Sequence, residues 1–106
     1  MPKYMLKCRY TIEGLKGLRE DGGTGRREAI IASLNSLGGK LEGLYFAFGE
    51  DDAFVVVDLP DNVAAATVAV AVAASGALHM QTIPLLTAEE MDKAVKQKVT
   101  YRPPGR

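Results

Sequence analysis

The 106 residues contain one cysteine, one histidine and no tryptophan. A lone Cys8 closes no intrachain disulfide, so neither a disulfide scaffold nor an oxidising compartment is implied. An excess of one charge sign is also missing, since thirteen Lys and Arg balance thirteen Asp and Glu. That neutrality argues against bulk binding to nucleic acid or to an anionic membrane, both of which need clustered positive charge. The most apolar run, Val63 to Ala74 with Thr67 inside it, is too short for a bilayer, which takes roughly 20 residues. Met1-Pro2-Lys3-Tyr4 enters a strand pattern directly, with no charged lead and apolar secretory core, so a soluble cytoplasmic protein is expected. Hydrophobic residues at 47% and charged residues at 25% are ordinary for a globular chain. One domain is expected over residues 1–98, with a loose tail at 99–106 that carries Pro103, Pro104 and Gly105.

Hydrophobic periodicity sets out the elements. Lys3 to Tyr10 alternates, with Tyr4, Leu6, Cys8 and Tyr10 on one face and Lys3, Met5, Lys7 and Arg9 on the other, which predicts a half-buried strand. Thr11 to Leu18 predicts a capped turn or short helix weakened by Gly14 and Gly17. Asp21 to Gly25 reads as a loop, and Arg26 to Leu37 as a helix whose stripe is Ile30, Ile31, Leu34 and Leu37. Gly38-Gly39 closes it. Lys40 to Phe48 and Ala53 to Leu59 predict two strands joined by the acidic turn Gly49-Glu50-Asp51-Asp52, an antiparallel hairpin. In the first of them Leu41, Gly43, Tyr45 and Ala47 are expected to alternate with Glu42, Leu44, Phe46 and Phe48. Asp61 is a good N-cap for a helix over Asn62–Ser75, with Gly76 at its end. That helix is nearly all alanine and valine, a pattern expected to be buried on more than one side. Leu78 to Leu86 predicts a fourth strand, in which Pro84 belongs at an edge or near the end. Thr87-Ala88-Glu89-Glu90 is a capping box opening a third helix to about Lys98.

Right-handed crossovers in this order put the two main helices on one face of a four-stranded antiparallel sheet. The expected class is therefore α+β, a ferredoxin-like βαββαβ sandwich with a C-terminal helix. Apolar and aromatic residues fall on both faces of the second and third strands. The uncovered face should then meet a second copy, giving a homodimer of the dimeric α+β barrel type.

The chain resembles the GYD-domain family over roughly residues 1 to 95. The resemblance rests on Met1-Pro2-Lys3-Tyr4 with Arg9-Tyr10-Thr11 and Glu13-Gly14, on Leu37-Gly38-Gly39-Lys40-Leu41, and on the hairpin turn from Gly49 to Asp52. The alanine-rich helix, Gly76 and the strand leading to Leu86-Thr87 complete it. It implies a dimeric α+β barrel and no assigned activity. Asp51 stands where the family's tyrosine is expected, so no role of that phenol carries over. Gly22-Gly23-Thr24-Gly25 looks like a local variation.

Several residues are candidates for chemistry. His79 could act as general base or as a ligand, since its ordinary pKa is about 6.5; a hydrogen-bonded histidine at a sheet or dimer surface is the plainer reading. Glu50, Asp51 and Asp52 could bind a hard cation or place a base at a cavity mouth, against the plainer reading of a solvated turn. Asp52 is singled out because the family-like position retains it. Lys7 and Arg9 could form intersubunit ion pairs or recognise an anion. Tyr10, Tyr45, Phe48 and Leu44 could line a pocket between sheet and helices for a small apolar or aromatic molecule. No metal site and no cofactor are expected: metal-ligand spacing, a phosphate loop and a nucleophile elbow are all missing from the pattern. Three functions stay open. They are a homo-oligomeric small-molecule binding module, a cofactor-free oxygenase or isomerase using His79 and Asp52, and a purely structural assembly protein.

Overall fold

Alternation along the first eight-residue strand, β1 (Lys3–Tyr10), decides what the sheet buries. The computed structural model describes residues 1–106. After β1 come α1 (Ile12–Asn35), β2 (Lys40–Phe46), β3 (Ala53–Asp58), α2 (Asn62–Ser75), β4 (Leu78–Leu85) and α3 (Ala88–Lys96). The strands form one antiparallel sheet in the order β2-β3-β1-β4. This is the ferredoxin-like α+β architecture, with β1 and β3 central and β4, bearing Pro84, at an edge.

The core is the layer between that sheet and the two long helices. Tyr4, Leu6 and Cys8 of β1 meet Val55 and Val57 of β3, and Leu34 of α1 and Ala64 and Ala65 of α2 close over them. Val57 and Leu59 are wholly buried, and burial of this kind stabilises by roughly 1.5–3 kcal/mol per side chain. The small residues of α2 let its backbone lie close to the sheet. Asp61 caps it by accepting from Ala64 N–H at 2.9 Å, and Gly76 ends it in the left-handed conformation.

Three local predictions are corrected. The expected short helix and second helix over residues 11–37 are present as two halves of α1 that meet at a break at Gly22, so the loop expected at Asp21–Gly25 shrinks to that one non-helical residue. The first half is anchored at its start. Thr11 accepts from Gly14 N–H at 3.2 Å and also donates to the carbonyls of Gly76 and Ala77. Gly14 is needed for close approach: a Cβ there would lie 1.8 Å from Ala77 O. The helix-weakening glycine is thus a packing requirement.

The second correction is the phase of β2. A bulge between Leu41 and Gly43 shifts the register, so Leu41 pairs with Val57 and Leu44 with Val55. Leu41 and Leu44 both face the helices, whereas strict alternation separates them. The third is length: β2 ends at Phe46, so Phe48 lies outside the ladder. Smaller differences are that β4 ends at Leu85 and α3 at Lys96.

α2 is covered on one side only in the single chain; Val63 and Val70 stand exposed. The capping box that opens α3 is present, with Glu90 N–H donating to Thr87 Oγ1 at 3.1 Å and Thr87 N–H to Glu90 Oε1 at 2.9 Å. α3 buries none of its residues. It projects from the domain, and the extents reach 55 × 33 × 23 Å.

Candidate functional site: a two-chambered cleft between sheet and helices

Two connected chambers occupy the space between sheet and helices. The inner one, about 110 Å³, is walled by apolar side chains including Leu6, Leu34, Leu44, Val55 and Met80, with Cys8 in its floor. The outer one, about 380 Å³, lies between the first half of α1 and the end of α2 and is edged by Glu13, Asp21 and Ser75. Tyr10, Arg26, Ser33, Val72 and Leu78 line both and form the neck between them.

Local sequence explains the neck. Tyr10 is the last inward residue of β1, half-buried where the strand turns into α1. Arg26 follows the Gly22 break by one turn and is in helical phase with Ile30 and Leu34. It therefore enters the interlayer space while keeping 30% of its side-chain surface exposed. Arg26 Nη1 lies 3.7 Å from Asp21 Oδ2 across the break. Its Nε is buried and has no hydrogen-bond partner in the chain. Burial raises the Tyr10 phenol above its ordinary pKa, an effect opposed by the nearby Arg26 charge. Burial also pushes the Cys8 thiol up to about 11, helped by the negative charges of Asp51 and Asp52 and opposed by Arg26. Cys8 is therefore a neutral wall of the chamber at ordinary pH.

The residues singled out from sequence are distributed over three places. Tyr10 and Leu44 line the inner chamber. Tyr45 does not: the bulge puts it beside Phe54 on the sheet face away from the helices, where it is exposed. Phe48 is fully exposed in the turn beyond β2. The expected four-residue pocket lining is corrected to Tyr10 and Leu44 for these reasons.

His79, on edge strand β4 and register-paired with Arg9 of β1, is exposed and lines a separate depression of about 220 Å³ with Thr11, Ala69, Ala73 and Met80. Asp52 precedes β3; its carboxylate accepts from Tyr10 N–H at 2.8 Å, while its own N–H donates to Cys8 O. It thus extends the β1–β3 ladder beyond the last regular pair. Neither His79 nor Asp52 lines the inner or the outer chamber. Lys7 and Arg9 find partners within their own chain, the acidic turn: Lys7 Nζ is 3.5 Å from Asp51 and Arg9 Nη2 is 3.6 Å from Glu50. No three His, Cys, Asp or Glu side chains come together as metal ligands. No helix is long and apolar enough to cross a membrane.

The face away from the helices has a plan of its own. The row Ile83, Met5, Val56, Gly43 crosses all four strands, and the next row is Gln81, Lys7, Phe54, Tyr45. Beyond the first row, Lys3 donates to Glu42 at 2.6 Å and Asp58 at 2.9 Å, which raises the pKa of its ammonium. An apolar centre is thus framed by paired charges.

A GYD domain model matches residues 4–95, which take in all four strands and both long helices. The chain belongs to the GYD domain family. No curated protein and no solved structure matches it. Within this GYD domain, Arg26 is the functional candidate that composition and motif reasoning passed over. Its signal was legible: Arg26, Ile30 and Leu34 are four residues apart, so a cation stands on the stripe that faces the core.

Proposed function

We propose that this GYD domain is a homo-oligomeric binding module that takes a small molecule into the cleft between sheet and helices. The observation that carries the reading is the cleft itself, an apolar inner chamber joined through a polar neck to a wider mouth. Ligand sites generally combine apolar walls with a few convergent polar groups. Binding is favoured over oxygenase or isomerase chemistry because His79 and Asp52, the residues proposed for that chemistry, lie outside the cleft. The Asp52 carboxylate is also engaged in holding the end of β1.

Oligomerisation forms part of the same reading. Met5, Phe54, Val56 and Ile83 share the sheet face that the helices leave uncovered, and the charges around them are already paired. An apolar centre with a polar rim fits a second copy placed sheet to sheet.

The ligand reading is tested with benzyl alcohol, a small neutral aromatic probe, titrated into the ¹⁵N-labelled protein. Saturable amide shifts confined to the cleft, lost in Val72→Trp, are expected because Val72 lines the neck. Absence of saturation, or shifts unaffected by a folded Val72→Trp protein, overturns it.

A further inference from the structure

We infer that the cleft selects a carboxylate with a compact apolar body, its charge held by Arg26 and Tyr10. This rests on the reading of the cleft as a ligand site and adds the charge class of the ligand.

Arg26 is the only charged residue lining the inner chamber; no carboxylate lines it. Its Nε is a buried donor without a partner in the chain. Buried donors are nearly always paired, because an unpaired one forfeits its hydration without replacement. Asp21 meets the guanidinium through Nη1 alone, at the separation of a weak ion pair, and comes from the outer chamber. The inner side of the guanidinium therefore faces apolar walls and the neighbouring Tyr10. A guanidinium is a planar fork that matches a carboxylate, and charge-assisted bonds of this kind are the strong ones.

Charge and size narrow the class. One guanidinium, already shared with Asp21, balances at most one further negative charge. A phosphate dianion would bring two charges to it. The inner volume of about 110 Å³ is smaller than the 150 Å³ apolar cavity known to admit benzene. The body is accordingly a short alkyl group or a single ring that extends partly into the neck.

Benzoate, benzyl alcohol and benzylamine separate the possibilities, each titrated into the wild-type protein with amide shifts as readout. Benzoate should bind at cleft residues roughly tenfold or more tightly than benzyl alcohol, and benzylamine most weakly. In Arg26→Met, benzoate should lose its advantage over benzyl alcohol, read as the ratio of the two affinities in the same variant; Arg26→Lys should retain part of it. Equal binding of benzoate and benzyl alcohol to the wild type overturns the carboxylate assignment and leaves the cleft as a neutral ligand site. Failure of all three to bind overturns the ligand reading and the assignment together. The wild-type comparison decides the matter even if Arg26→Met fails to fold.

Discussion

At Gly14 a single hydrogen atom keeps two elements apart. The turn into β4 presents the Ala77 carbonyl to the first turn of α1, and a methyl group would lie 1.8 Å from that oxygen. Neither backbone can retreat without breaking the Thr11 bonds to Gly76 and Ala77. Gly14→Ala should therefore lower stability by about 2 kcal/mol, the ordinary cost of overpacking. Equilibrium urea unfolding measures it, and an unchanged midpoint would contradict the packing described. Cys8 offers a second test at the same scale. Burial raises its pKa from 9.0 to about 11, so at pH 8 its thiolate fraction is about a hundredfold lower than in the unfolded chain. Ellman's reagent should react correspondingly slowly with the native protein. Because the folded-state pKa is the raised one, the associated stability is fully present below pH 9.0 and declines as pH rises toward about 11. A native thiol that reacts at the unfolded rate would show that the inner chamber is open to reagent at Cys8.

Individual elements differ in how plainly the chain announces them. α2 was legible from Asp61 to Gly76 because both caps are local chemistry. β1 was legible because its period of two is unbroken. α1 was harder to read, since Gly14, which lowers helix propensity, is kept there for a tertiary reason, the approach of Ala77. β2 misled for a different reason. A bulge changes which residues share a face without leaving any mark in composition, so Leu41 and Tyr45, which simple alternation puts on one face, end on opposite faces. Of the cleft, Tyr10 and Leu44 could be named in advance. Arg26 stood on the same stripe as Ile30 and Leu34, but which chamber it lines depends on the break at Gly22, which sets the direction of the second half of α1. α3 is the element held least by the rest of the molecule. Its stability is local, so Thr87→Ala should raise amide exchange through Ala88–Lys96 and leave the urea midpoint of the domain in place. The hydrogen bond from Thr87 also lowers the Glu90 pKa below its ordinary 4.5. That contribution is present above pH 4.5 and is lost as pH falls through the lowered value, so α3 should fray in acid before the core unfolds. Uniform exchange along the chain at low pH would contradict this ordering.

For the molecule as a whole, the uncovered sheet face is where assembly is decided. Sedimentation equilibrium at micromolar concentration should return at least twice the 11.4 kDa of one chain. Phe54→Lys puts a charge between Lys7 and Tyr45 at the centre of that face and should shift the protein to single chains. Arg9→Glu sets a carboxylate opposite Glu50 in place of an ion pair; it should weaken association if Arg9 also reaches the second copy, and unchanged association would remove Arg9 from the contact. A stable single chain in the wild type would end the sheet-to-sheet arrangement. The projecting α3 bears on how such a mass is measured. With a radius of gyration of 16.7 Å, against about 13 Å for a sphere-like chain of this length, even one copy drags through solvent like a larger particle. Elution volume from a sizing column would therefore report an inflated Stokes radius, and only a shape-independent weight can distinguish a lone chain with its arm extended from a true pair.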